Sequence, residues 1–205
     1  MADKIHIATE GANTPCQDRV AILERDGASV IALVDGAGGT GNGRAAADFV
    51  IDALAGETPE ASQRVNPLYW RDALARIDRS LHRAGHGQST CIVIALAPEK
   101  IVGASVGDSQ AWLILPDTFV ALTENQRRKP LLGDGAATPV GFELNRRPGT
   151  LLVASDGLFN YVGHTRILDI ARESPPECAP ERLINAARLR SGALNDDIAI
   201  ALGNL

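Results

Sequence analysis

Residues 89–123, STCIVIALAPEKIVGASVGDSQAWLILPDTFVALT, hold four apolar, β-branched runs separated only by PE, GDSQ and PDT. The separators have turn chemistry, and the runs have strand chemistry. A parallel crossover needs a dozen or more residues, so runs joined this closely are expected to be antiparallel neighbours. The runs are apolar throughout instead of alternating with polar residues. That pattern implies strands covered on both faces.

Outward from this centre, segments 4–9, 19–24 and 28–34 read as further strands, with RDG (25–27) as a hairpin turn. LLVAS (151–155) and DIAIAL (197–202) complete the β set. Residues 43–55 read as a helix with Ala46, Val50, Ala53 and Leu54 inward. Asn66-Pro67 has the form of a cap followed by a first-turn proline, and Trp70, Leu74, Ile77 and Leu81 recur behind it at helical spacing. Another helix is predicted over about 180–190, with Leu183, Ile184 and Ala187 inward. Segments 56–67, 127–149 and 173–181 read as loops. Two packed antiparallel sheets with helices outside them satisfy these requirements, an α+β class with a central β-sandwich.

The 205 residues suffice for one domain with a proper core. A net charge of −5 leaves no basic footprint for nucleic acid or an anionic membrane. No apolar run reaches spanning length, and MADKIHIATEG (1–11) lacks the apolar core of a signal peptide. The expectation is a cytoplasmic protein with neither nucleic-acid nor membrane partners. Cys16, Cys91 and Cys178 form no disulfide or metal pattern.

Acids punctuate the strands. SVIALV ends in Asp35, GASV leads to Asp108, LLVAS to Asp156, and Asp196-Asp197 precede the last run. Two unit charges about 4 Å apart repel by roughly 4 kcal/mol at an effective dielectric near 20, so converging carboxylates protonate, separate or bind cations. Hard divalent ions such as Mg²⁺ or Mn²⁺ suit oxygen ligands. Each acid taken alone is a solvated strand end; four similar contexts together argue for convergence. Gly36-x-Gly38-x-x-Gly41 also matches a dinucleotide fingerprint, but that fingerprint belongs to a parallel sheet, and Asp35 would face the pyrophosphate. An oxidoreductase of that kind is the remote alternative.

The series Gln17-Asp18, Asp35-Gly36-Ala37-Gly38-Gly39, Ser89-Thr90, Gly107-Asp108-Ser109, Ser155-Asp156-Gly157-Leu158 and Asp196-Asp197-Ile198 resembles the metal-dependent protein phosphatases of type 2C, in the family's order. The resemblance implies an α-β-β-α layered domain over residues 1–205, here with a shortened flap between FVALT and LLVAS. It implies two Mn²⁺ or Mg²⁺ ions, with a third and looser one. Asp35 would bridge two ions and the Gly36 carbonyl would bind one. Asp156 and Asp196 would hold the other, Asp18 would contribute from the first strand region, and Asp108 would serve the third. Asp35 and Asp156 would carry catalysis through a metal-activated water attacking phosphoserine or phosphothreonine. Phosphorylated proteins and a cognate serine/threonine kinase are the implied partners of a monomer.

The chain departs from the family at four points. Asn13 stands where an arginine often binds phosphate, Gln17 where some members have glutamate, Ala37 where some have histidine, and Asp197 where asparagine is usual. Arg19, Arg44 or an arginine from 127–147 is the candidate substitute for the arginine. A catalytically weak binding or regulatory module is the alternative these departures motivate. Arg127-Arg128-Lys129 reads as a solvated loop, with steering of a phosphopeptide as its other reading. His82 and His86 are metal-spaced but read as surface residues near a helix end.

Overall fold

A computed structural model describes residues 4–12, 14–25, 28–40 and 42–205. One antiparallel sheet joins β2 (Arg19–Arg25), β3 (Ala28–Val34), β4 (Cys91–Leu96), β5 (Lys100–Val106) and β8 (Val140–Asn145) in that order. The other runs β1 (Ile5–Glu10), β10 (Ile198–Asn204), β9 (Thr150–Ala154), β6 (Gln110–Ile114) and β7 (Phe119–Ala121). The sheets stack face to face, and helices cover each outer side.

Strand periodicity explains the layers. In β3, Ile31 and Leu33 join Ile92, Ile94 and Ile101 against Leu113, Leu151, Val153 and Ala199 of the opposite sheet. The alternate residues Val30, Ala32 and Val34 face α1 (Gly43–Gly56) and α3 (Pro67–Ala84), packing with Val50, Trp70 and Leu74. On the far side, Trp112, Leu152, Ile198 and Ile200 pack with Leu158, Ile167, Leu183 and Ile184. Those partners come from α4 (Asp156–Phe159), α5 (His164–Glu173) and α6 (Ala179–Ala187). Every interior strand therefore needs apolar residues on both faces, which is why the runs do not alternate.

The long helix begins as its sequence indicates. The Asn66 side chain accepts a hydrogen bond from the Leu68 N–H, Pro67 occupies the first turn, and Gly85 closes the helix at φ 68°. Its face of Trp70, Leu74, Ile77 and Leu81 is buried.

Three sequence expectations change. The runs flanking GDSQ are not neighbours: β5 belongs to one sheet and β6 to the other, so residues 107–109 cross between layers. Gly107 makes that corner at φ 101°, where a Cβ would strike Thr90. VGFELN, inside a segment read as a loop, is edge strand β8, paired with β5. It is only partly buried and flanked by Pro139 and Arg146-Arg147, which hides the pattern. HTRILDIARE forms α5, and a single turn α2 (Ala61–Arg64) lies within 56–67. The tip of the RDG turn falls at residues 26–27, outside the described residues, although pairing of β2 with β3 runs down to Arg25 opposite Ala28. Gly41 of the glycine fingerprint also lies outside them. Both sheets being antiparallel removes the dinucleotide reading.

Candidate metal centre

Register brings the acids to one end of the sandwich. Arg19 pairs with Val34, so Asp18 and Asp35 flank the same rung of the first sheet. Gln110 pairs with Ala154, and Ala154 with Ile200, so Asp108, Asp156 and Asp196 reach the same rim from the second. One carboxylate oxygen each from Asp35, Asp108 and Asp156 lies within 4.8 Å of the others. Asp35, Gly36, Asp108, Asp156 and Asp196 line one cleft of about 450 Å³. Asp18 does not line that cleft. It borders a smaller cavity of about 120 Å³ behind it, shared with Asp35, Gly36 and Asp196. Asp18 is 2% exposed, and its Oδ2 is buried without a hydrogen-bond partner.

The backbone beneath the cluster is crowded. A Cβ on Gly36 would run into the Gly43 carbonyl at the start of α1, so the loop after Asp35 passes against the helix only as glycine. Gly157 has the same relation to the Asp197 carbonyl.

Burial and mutual repulsion work against ionisation. Burial, then the Asp18, Asp156, Asp108 and Asp196 carboxylates, push Asp35 up to about 9. Burial pushes Asp18 up to about 7, aided by Asp197, Asp156 and Asp196 and opposed by a hydrogen bond from Ser155. Asp156 is raised by burial and by Asp108 and Asp196, while Asn160 pulls it down. Cationic charge placed among them would reverse these shifts.

A second layer of bonds holds the acids. The Thr90 N–H donates to the Asp35 carbonyl at 2.8 Å, and the Asp35 N–H donates to Thr90 Oγ1 at 3.1 Å. Thr90 Oγ1 also lies 2.8 Å from Ser109 Oγ, beside Asp108. Asn160 Nδ2 donates to Asp156 Oδ2 at 2.9 Å. Asp197 is not a free charge in the cluster. It accepts from the Ala12 N–H at 2.8 Å and the Gln17 N–H at 2.6 Å, holding the loop that leads to Asp18.

The candidate arginines separate cleanly. Arg19 bonds Asp48 at 2.6 Å and the Cys16 and Asp18 carbonyls, so it supports the Asp18 loop and does not line the cleft. Arg44 is exposed, 3.7 Å from Asp48. Arg128 and Lys129 line the cleft, and Arg128 Nε donates to Asp108 Oδ2 at 2.6 Å. Asn13 lies outside the described residues. His82 sits exposed with Nδ1 3.0 Å from the Gly133 carbonyl, and His86 is exposed beside Phe49.

Three contributors escaped the sequence reading. Asn160 sits four residues beyond Asp156, capping the C-terminus of the same short helix, a spacing that could have marked it. Asp78 of α3, 2% exposed, accepts from the N–H groups of Gly133, Gly135 and Ala137 at 2.8, 3.0 and 3.1 Å. Asp134 accepts from the Leu131 N–H at 2.9 Å and from the Gln88 amide. The Asp78 contacts and the Gln88 contact of Asp134 have no local sequence signal, because those partners are distant in the chain.

The family model described as protein phosphatase 2C matches residues 7–130, more than half the chain, and the chain belongs to that family. Among solved structures it superimposes on the serine/threonine phosphatase Stp1 from Staphylococcus aureus with a TM-score of 0.86 at 21% identity, covering all of this chain and 96% of that one. A bacterial serine phosphatase gives 0.84 at 22%, over 98% and 97%. The catalytic domain of the serine/threonine protein phosphatase PstP, in complex with two manganese ions, gives 0.79 at 20%, over 98% and 97%. At these identities the likeness establishes the fold. Comparison with curated proteins found no match.

Proposed function

We propose that this chain is a Mg²⁺- or Mn²⁺-dependent phosphatase that hydrolyses phosphoserine and phosphothreonine in proteins. The observation carrying this reading is the meeting of Asp35, Asp108 and Asp156 oxygens within 4.8 Å at the rim where both sheets end. The residues present fit divalent cations. The donors are hard oxygens, one buried carboxylate oxygen of Asp18 has no donor facing it, and Asp35 and Asp18 are held well above the usual carboxylate range.

In this reading Asp35, the Gly36 carbonyl, Asp156 and Asp196 would hold the ions, with Asp18 contributing beside them and Asp108 serving a looser one. Bound ions would supply an acidified water and neutralise charge on the transferring phosphoryl group. The chain's own part is to orient the carboxylates: Thr90 clamps Asp35, Asn160 turns Asp156, and Asp197 holds the approach to Asp18. Among the described residues no cysteine lines the cleft; burial pushes the Cys16 thiol up to about 11 and raises Cys91 further, which suits neither for thiolate attack.

The reading extends to phosphorylated proteins as substrates, a cognate kinase as the opposing enzyme, a cytoplasmic location, and one monomeric domain with a shortened flap between FVALT and LLVAS. No helix among the described residues is long and apolar enough to cross a membrane. The test is release of phosphate from a phosphothreonine peptide with Mn²⁺, with and without chelator. Metal-dependent release supports the reading. Mn²⁺ binding without any release is the outcome of the binding-module alternative, which Ala37 favours by bringing no proton donor to the cleft.

A further inference from the structure

Two cationic side chains share the cleft with the acids. Among the described residues that line it, Arg128 and Lys129 are the only basic ones. The Arg128 side chain is 77% exposed, yet it is fixed at one point by its Nε bond to Asp108 Oδ2. Its Nη groups make no hydrogen bond among the described residues, so the outer part of the guanidinium fork remains available to a ligand. Lys129 adds a second positive charge on the same rim.

The loop carrying this pair is anchored on both sides. Before it, Gln126 Nε2 donates to the Ser109 carbonyl at 2.5 Å, and the Gly107 N–H donates to the Arg127 carbonyl at 3.2 Å. After it, Asp134 holds Leu131, and Asp78 gathers Gly133, Gly135 and Ala137. Arg19 and Arg44 are occupied with Asp48 and lie outside the cleft lining. A solvated loop has no need of four such anchors.

We infer that Arg128, assisted by Lys129, is the group that receives the non-bridging oxygens of the substrate phosphate. The guanidinium offers paired N–H donors suited to two phosphate oxygens, and it stands in the same cleft as the rim carboxylates, bonded to one of them. Asp108 positions Arg128 at the mouth, joining the metal-binding rim to the phosphate-binding one. The inference rests on the phosphatase reading and assigns its substrate-phosphate contact to the loop after β7.

The test uses the full chain loaded with Mg²⁺ and titrated with inorganic phosphate, followed by calorimetry and by the ³¹P signal. Arg128→Ala is expected to weaken phosphate binding roughly 10–100-fold, as for loss of charge-assisted paired hydrogen bonds. KM for a phosphothreonine peptide should rise with a smaller change in kcat, Arg128→Lys should recover part of the loss, and Lys129→Ala should give a lesser loss. Mg²⁺ affinity of Arg128→Ala should stay within about threefold of the parent. Unchanged phosphate affinity in Arg128→Ala overturns the inference. So does a phosphate loss matched by an equal loss of Mg²⁺ affinity, which would reduce Arg128 to a support for Asp108. Arg128-dependent phosphate binding in a chain that hydrolyses no phosphopeptide supports the inference while removing the phosphatase reading, so the two failures are told apart.

Discussion

Thr90 and Asp35 exchange two hydrogen bonds, the Thr90 N–H to the Asp35 carbonyl and the Asp35 N–H to Thr90 Oγ1. This exchange locks the tip of β3 to the start of β4, and Thr90 Oγ1 extends the lock to Ser109. Thr90→Val keeps the shape and removes the hydroxyl. It is expected to cost about 1–3 kcal/mol in a urea melt, since buried partners lose their bond. Mn²⁺ affinity should fall by roughly 10–100-fold by calorimetry, the usual effect of losing an outer-shell partner. Thr90→Ser should retain most of both. Equal effects of the two substitutions would deny the hydroxyl its role.

Metal-free stability should fall as pH rises. Asp35 and Asp18 have folded values of about 9 and about 7, above those of an unfolded carboxyl. The folded chain therefore binds more protons than the unfolded one between about pH 4 and pH 9, and stability declines through that window. With chelator present, Tm at pH 8 should lie below Tm at pH 5, by about 2–4 °C for each kcal/mol lost. Saturating Mn²⁺ should raise Tm more at pH 8 than at pH 5. A metal-free Tm that rises with pH would contradict the crowding of these carboxylates.

Much of this architecture was legible in advance, for a physical reason. β3, β4, β5, β6, β9 and β10 are interior strands clad on both faces, so their runs are apolar without interruption and easily found. Edge strand β8 pairs on one side only, and its mixed burial hid it. The acids were legible because carboxylates at the tips of apolar runs are costly unless something collects them. Their supports were not. Asp78, 55 residues before Gly133 in sequence, looks like any polar residue on a helix until the fold brings the loop to it. The split of β5 and β6 between sheets was equally hidden, because a three-residue corner resembles a hairpin turn.

Asp78→Asn leaves size unchanged but replaces one acceptor oxygen with a donor facing N–H groups. A loss of roughly 2–4 kcal/mol is expected for a buried charged acceptor serving three donors. Because these donors anchor the loop bearing Arg128, KM for a phosphopeptide should rise several-fold while Mn²⁺ affinity is maintained. A variant as stable as the parent, with the same KM, would show that the anchor is dispensable.

Asp197→Asn tests the other support. An asparagine keeps one acceptor oxygen, so one of the Ala12 and Gln17 N–H groups loses its partner. About 1–3 kcal/mol of stability should be lost. Mn²⁺ affinity should change less than in Asp196→Asn, because Asp197 faces the backbone of the preceding loop. A greater loss of affinity from Asp197→Asn than from Asp196→Asn would make Asp197 the ligand.

Hydrolysis of p-nitrophenyl phosphate against Mn²⁺ concentration, for the parent chain beside Asp156→Asn, tests the carboxylate-held metal centre most directly. The parent should turn over only with metal and stop on chelation. Asp156→Asn should lose at least about a hundredfold in activity together with measurable Mn²⁺ affinity, as expected when a ligand to a catalytic ion is removed. Turnover that survives both chelator and Asp156→Asn would contradict it.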